Sequence, residues 1–137
     1  MNSCPAHRQY SPDPMRADKV YGRNSEDAAV AFLRSQGYKI LERNFRTRLG
    51  EIDIVARHKG TLVFVEVKAR RSLRYGHPKL AVTAAKQRTL SLVALIYLKK
   101  HATLETRARF DVVTLQTIEG KTEVELFANA FEMTGLD

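Results

Sequence analysis

The stretch 50–70, GEIDIVARHKGTLVFVEVKAR, reads as two strands around a tight turn, and a loop of two or of four residues gives the same register. Gly60 can take the positive φ that a tight hairpin demands, so the turn is centred on Lys59-Gly60. Cross-strand partners then carry numbers that sum to 119, which sets Asp53 opposite Glu66 and Glu51 opposite Lys68. Because side chains alternate, Glu51, Asp53, Val55, Phe64, Glu66 and Lys68 share one face. Ile52, Ile54 and Ala56 share the other with Val63, Val65 and Val67. That second face is wholly apolar and must meet the core, which pins the register.

Directly opposed residues hold their Cβ atoms about 4.5–5.5 Å apart, and like charges there destabilise a hairpin. The pair at 53 and 66 can be tolerated if one carboxylate takes a proton, if a cation bridges them, or if both lean into water. A bridging divalent ion makes use of the arrangement. Mg²⁺ prefers oxygen ligands, commonly takes one or two carboxylates, and keeps waters or substrate phosphate oxygens. Lys68 points to the same face, where its ammonium could orient a nucleophile or stabilise charge on a phosphate. A solvated polar strand face is the simpler alternative, and the hairpin alone leaves both open.

Composition narrows the partners. The 137 residues suit one domain, and 44% apolar with 28% charged residues is ordinary for a globular chain. Lys and Arg total 23 against 15 acids, a net charge of +8, which favours an anionic partner such as nucleic acid. The single cysteine, Cys4, cannot form an internal disulfide. The longest apolar run, LVALIYL at 92–98, is far short of the roughly 20 residues that span a bilayer. With no secretory signal after Met1, a cytoplasmic protein without a membrane partner is expected.

Residues 1–20 hold three of the four prolines and little periodicity, so they are expected to form a poorly ordered tail, with Met15 an alternative start. The remainder, 21–137, is expected to be a single domain. NSEDAAVAFLRSQG predicts a helix capped at Asn24 or Ser25 and stopped by Gly37. YKILERNF at 38–45 predicts a strand, and a second helix is expected over 82–100 with Leu90, Val93, Ala94, Tyr97 and Leu98 on one face. RFDVVTLQ at 109–116 and TEVELFANAF at 122–131 predict two more strands around Glu119-Gly120. The order α-β-β-β-α-β-β implies an α/β domain, a mixed sheet flanked by helices.

Asp53 followed by Glu66-Val67-Lys68 across a hairpin is similar to the Asp…Glu-x-Lys signature of the PD-(D/E)xK nuclease superfamily. The predicted order resembles that superfamily's restriction-endonuclease-like αβββαβ core. GRNSEDAAVAFLRSQGYKILERNFR, GEIDIVA, VFVEVKAR and RFDVV, in that order over roughly residues 20–131, resemble the YraN family of bacterial proteins, whose members are similar to Holliday junction resolvases. The resemblance implies Asp53, Glu66 and the main-chain carbonyl of Val67 as ligands of Mg²⁺ or Mn²⁺, with Lys68 as the catalytic lysine. Glu26 matches the helix acid that completes such sites, although a first-turn acid also suits the helix dipole. Lys86 and Gln87 fall where related nucleases place an auxiliary polar residue. Ile52 stands where the superfamily motif has its proline.

The reading expected from these residues is an endonuclease hydrolysing phosphodiester bonds in DNA, branched or otherwise structured forms included. Arg43, Arg46 and Arg48 before the hairpin, Arg70, Arg71 and Arg74 after it, and Lys86 would contact phosphates, with salt-sensitive affinity. Cutting a junction needs two active sites, so a homodimer or a partner protein belongs to this reading. The alternative is a DNA-binding accessory protein that keeps the nuclease fold without cleaving. No GxxxxGK[ST] loop or GxSxG elbow supports nucleotide hydrolysis or serine chemistry.

Overall fold

The computed structural model describes residues 8–10, 21–70, 82–101 and 107–133. Strand β1 (Arg8–Tyr10) precedes helix α1 (Tyr21–Ser35) and strands β2 (Lys39–Arg46), β3 (Glu51–His58) and β4 (Thr61–Arg70). Helix α2 (Ala84–Lys100) then leads to β5 (Ala108–Ile118) and β6 (Lys121–Phe131). The sheet order is β1-β6-β5-β4-β3-β2, parallel between β4 and β5 and antiparallel elsewhere. From α1 to β5 this is the expected αβββαβ core with a mixed sheet. β1 is a short edge strand within the stretch expected to be a tail.

Local chemistry accounts for most boundaries. Gly37, at φ 90°, ends α1 in a Schellman arrangement: Tyr38 N–H donates to the Leu33 carbonyl and Gly37 N–H to that of Arg34. Thr83 caps α2, its hydroxyl accepting from the Lys86 amide at 3.1 Å. Lys59 and Gly60, with φ of 50° and 81°, make the β3–β4 turn, and Glu119 and Gly120 repeat the device between β5 and β6.

The start of α1 corrects the sequence reading. The helix begins at Tyr21, so Asn24 and Ser25 lie inside it, and Ser25 is buried. Packing of Ala29, Val30, Phe32 and Leu33 onto the sheet holds this helix, and the cap signal is overridden.

Each face of the sheet carries its own core. Under α1 lie Phe32, Leu33, Ile54, Ala56, Val63, Val65, Val113 and Leu115; under α2 lie Val55, Phe64, Leu90, Val93, Tyr97, Phe110 and Val112. Each fully buried side chain of this size stabilises the fold by about 1.5–3 kcal/mol relative to exposure. The strand face that carries the acids is therefore also a packed face, covered by α2. Charged groups on it sit at the margin of a core.

Candidate functional site

The hairpin register is the one the turn dictates: His58 pairs with Thr61, and the ladder continues through Val55↔Phe64 to Ile54↔Val65. Every pair sums to 119. The ladder stops at that point, one residue short of Asp53 and Glu66. Instead of completing a backbone pair, Val67 N–H donates to the Asp53 carboxylate at 2.8 Å. Asp53 thus lies along the sheet, between the two strands.

Two expectations fail here for a common reason. Ile52 and Ile54 were to share a face, yet Ile52 packs under α2 and Ile54 under α1. The pleat reverses at Asp53. Its neighbour on β2 is Asn44, between the pairs Arg43↔Ile54 and Phe45↔Ile52, and Asn44 has a left-handed φ of 55°. Glu51, expected to face Lys68, instead pairs with Arg46 on β2, N to O 3.2 Å.

Around the break the acids gather. Glu66 has a side chain only 7% exposed, and its Oε2 lies 3.3 Å from Lys68 Nζ, which is 33% exposed. Burial pushes the Asp53 carboxyl up to about 7, and the neighbouring Glu66 carboxylate adds to the rise. The Val67 N–H opposes it, while Glu26 and Glu51 contribute further repulsion. Asp53 and Glu66 sit together, Lys68 joins them through Glu66, and the crowding disfavours the ionised form of Asp53. Among the described residues no three His, Cys, Asp or Glu side chains converge as a ready metal cage. Two neighbouring carboxylates suit an ion that takes few protein ligands and retains waters.

Glu26 reaches the same neighbourhood from α1. Its Oε1 accepts from Asn44 Nδ2 at 2.9 Å and from Arg43 Nη2 at 3.2 Å. Arg43 also pairs with Asp27 at 2.6 Å. The two α1 acids therefore engage β2 and leave the helix dipole alone. On the other side, the start of β3 presses on α2: a Cβ on Gly50 would meet Thr89 Cγ2 at 2.8 Å. Lys86, one turn before Thr89 on α2, is half-buried. The Gln87 amide donates to the Val82 carbonyl at 2.9 Å and braces that turn.

The expected phosphate contacts differ in their settings. Arg43 and Arg46 are held in ion pairs with acids, while Arg48 is exposed in the β2–β3 turn. Arg70 closes β4. Arg71 and Arg74 lie outside the described residues.

Sequence reasoning passed over Asn44, although an Asn in a strand is a signal, being depleted there and tolerant of left-handed φ. It also missed a buried polar knot on the α1 face. Asp111, fully buried, accepts from Tyr38 Oη at 2.7 Å, from Arg109 Nε at 3.0 Å and from the Asn129 amide at 2.8 Å. Arg109 also meets His58 Nδ1 at 3.1 Å, and the His58 ring stacks on Tyr38 at 4.2 Å. Partners 71 and 73 residues apart leave no local trace in sequence. Their donors satisfy Asp111, so this knot ties the residue that leads into β2 to β3, β5 and β6.

Comparison with known proteins gives a consistent picture. The model of the uncharacterised protein family UPF0102 matches residues 25–115. A UPF0102 protein of Desulfosudis oleivorans is 53% identical over 112 residues, 82% of this chain and 89% of that one. One from Geobacter metallireducens is 51% identical, covering 85% and 95%. One from Pelobacter propionicus is 50% identical over 131 residues, covering 92% and 94%. Among solved structures, Pyrococcus furiosus SfsA in complex with Ca²⁺ aligns with 80% of this chain at 16% identity and a TM-score of 0.35. The chain spans 62% of that protein's length, and the likeness is too loose to carry an argument. Among the described residues no helix is long and apolar enough to cross a membrane.

Proposed function

The chain belongs to the uncharacterised protein family UPF0102, and we propose that it is a Mg²⁺- or Mn²⁺-dependent endonuclease that hydrolyses phosphodiester bonds in DNA, branched or structured forms among them. One observation carries the reading. Asp53 and Glu66 crowd together at a break in the hairpin, largely out of water, with the Lys68 ammonium beside Glu66. Such a pair is costly unless a proton or a cation relieves it. The donor types fit a hard cation: Asp53, Glu66 and the carbonyl of Val67 would hold it, and waters or phosphate oxygens would complete its shell. A bound divalent ion would supply Lewis-acid activation and neutralise charge on the phosphate.

The chain's own groups do the rest. The Val67 amide fixes the Asp53 carboxylate, so its orientation is set before anything binds. Lys68, one-third exposed beside Glu66, reaches from the buried acid toward solvent. There its ammonium can position the attacking water or donate to a non-bridging phosphate oxygen as negative charge grows. Arg48 and Lys86, with Arg70 at the end of β4 and Arg71 and Arg74 after it in sequence, would neutralise backbone phosphates, so affinity falls as salt rises. Within this reading the protein works in the cytoplasm, as a homodimer or with a partner where two strands must be cut.

The test incubates the purified chain with linear, nicked and four-way-junction DNA in Mg²⁺ or Mn²⁺. Cleavage that disappears in Asp53→Ala, Glu66→Ala and Lys68→Ala supports the enzyme. Tight binding without product on any of these substrates supports the accessory role instead.

A further inference from the structure

We propose that Asn44 is a positioning residue of this centre, holding Glu26 so that its second carboxylate oxygen meets the hydration shell of a divalent cation bound at Asp53 and Glu66. The inference rests on the metal-dependent reading above and adds an outer layer to it.

The backbone supplies the first argument. Asn44 is a non-glycine residue at φ 55° in the body of a strand. A left-handed residue is disfavoured and persists only where its surroundings impose it, and such outliers gather at functional sites. Its place is the second argument. In the β2–β3 register Asn44 faces Asp53, the residue at which the pleat reverses. The two irregularities form one feature, a local kink across paired strands that turns Asp53 into the sheet plane and Asn44 toward α1.

The hydrogen bonds supply the third. Asn44 Nδ2 donates to Glu26 Oε1 at 2.9 Å, closer than Arg43 at 3.2 Å, and Arg43 is drawn away by Asp27 at 2.6 Å. Both donors use the same oxygen. Among the described residues Glu26 Oε2 receives no hydrogen bond, although the side chain is only 20% exposed. Among the described residues no three acids converge closely enough to ligate one ion directly, so Glu26 acts through water. Mg²⁺ and ions like it keep several waters, and the groups that accept from those waters commonly tune affinity 10–100-fold.

The competing view is that the Asn44–Glu26 bond only docks α1 onto β2. Asn44→Gly separates the two, because glycine keeps the left-handed backbone and deletes the amide. The experiment measures Mn²⁺ affinity by paramagnetic resonance, and melting in chelator, for wild type, Asn44→Gly, Glu26→Gln and the double variant. The expected result is Mn²⁺ binding weakened about tenfold in each single variant. The double variant is no weaker than either single, and Asn44→Gly melts in chelator no lower than wild type. Asn44→Asp, which keeps the shape and sets an anion against Glu26, gives the same loss and stands in if the glycine variant does not fold. Wild-type affinity in Asn44→Gly, or a hundredfold loss in the double variant, overturns the positioning role alone. A wild-type protein that binds no Mn²⁺ overturns this inference and the metal-dependent reading together.

Discussion

Replacing Asp53 with Asn should stabilise the metal-free protein, by an amount that grows with pH. The amide oxygen of Asn can still accept the Val67 N–H, which lies 2.8 Å from the native carboxylate. The charge that burial and Glu66 oppose is removed. In the folded chain Asp53 holds its proton up to about 7, against an ordinary value of 3.8. A carboxyl shifted upward contributes its full stability below the ordinary value, and loses it as pH climbs through the interval to the folded value. The gap corresponds to about 4 kcal/mol as an upper bound, since ionised Asp53 is tolerated only at that cost. Between about pH 5.5 and 8.5 roughly 2 kcal/mol of the advantage of Asp53→Asn should emerge. For a domain of this size that is roughly 5–8 °C in melting temperature. Paired thermal and urea melts in chelator across that range measure it. Saturating Mn²⁺ should then raise the wild type and leave the variant unmoved, because only the wild type retains the ligand. Destabilisation by Asp53→Asn of equal size at every pH would refute the reasoning, since the carboxylate would then be serving a fixed structural contact.

Three further outcomes follow from the same geometry. Gly50→Ala pushes a methyl to 2.8 Å from Thr89 Cγ2 and should cost about 1–3 kcal/mol while displacing α2 from the start of β3, read by urea melts and by weakened Mn²⁺ binding. Lys68→Met leaves Glu66 buried beside no ammonium. It should lower cleavage about 100-fold or more in single-turnover assays while Mn²⁺ affinity stays at or above wild type. Asp111→Ala strips the acceptor from Tyr38, Arg109 and the Asn129 amide, and should cost about 3–5 kcal/mol in urea melts without weakening Mn²⁺ binding by the folded protein.

The hairpin was legible because its turn chemistry and its apolar pattern agree. Lys59-Gly60 admits one tight turn, and Val63, Val65, Ile54 and Ala56 demand one burial, so the register follows. The apolar face of α2 was legible for the same reason: Leu90, Val93, Ala94, Tyr97 and Leu98 repeat at helical spacing, and all are buried. What the sequence hid lies where alternation breaks. Nothing local in GEIDIVA says that Asp53 will leave the pleat to take the Val67 amide, or that Ile52 and Ile54 will part to opposite cores. That reversal is imposed jointly by β2 and β4, one through Asn44 and the other through the Val67 N–H that donates to Asp53. The true start of α1 was hidden too, because Asn24 and Ser25 resemble caps while tertiary packing carries the helix past them. The Asp111 knot joins residues scattered from 38 to 129, which only the folded sheet brings together.

The most direct test is to locate manganese itself. Crystals soaked in Mn²⁺ and measured at its absorption edge should show one strong anomalous peak within coordination distance of the Asp53 and Glu66 carboxylates and the Val67 carbonyl, with Lys68 swung off Glu66. A saturating soak that leaves those oxygens bare, or a peak that forms elsewhere on the molecule, would contradict the account.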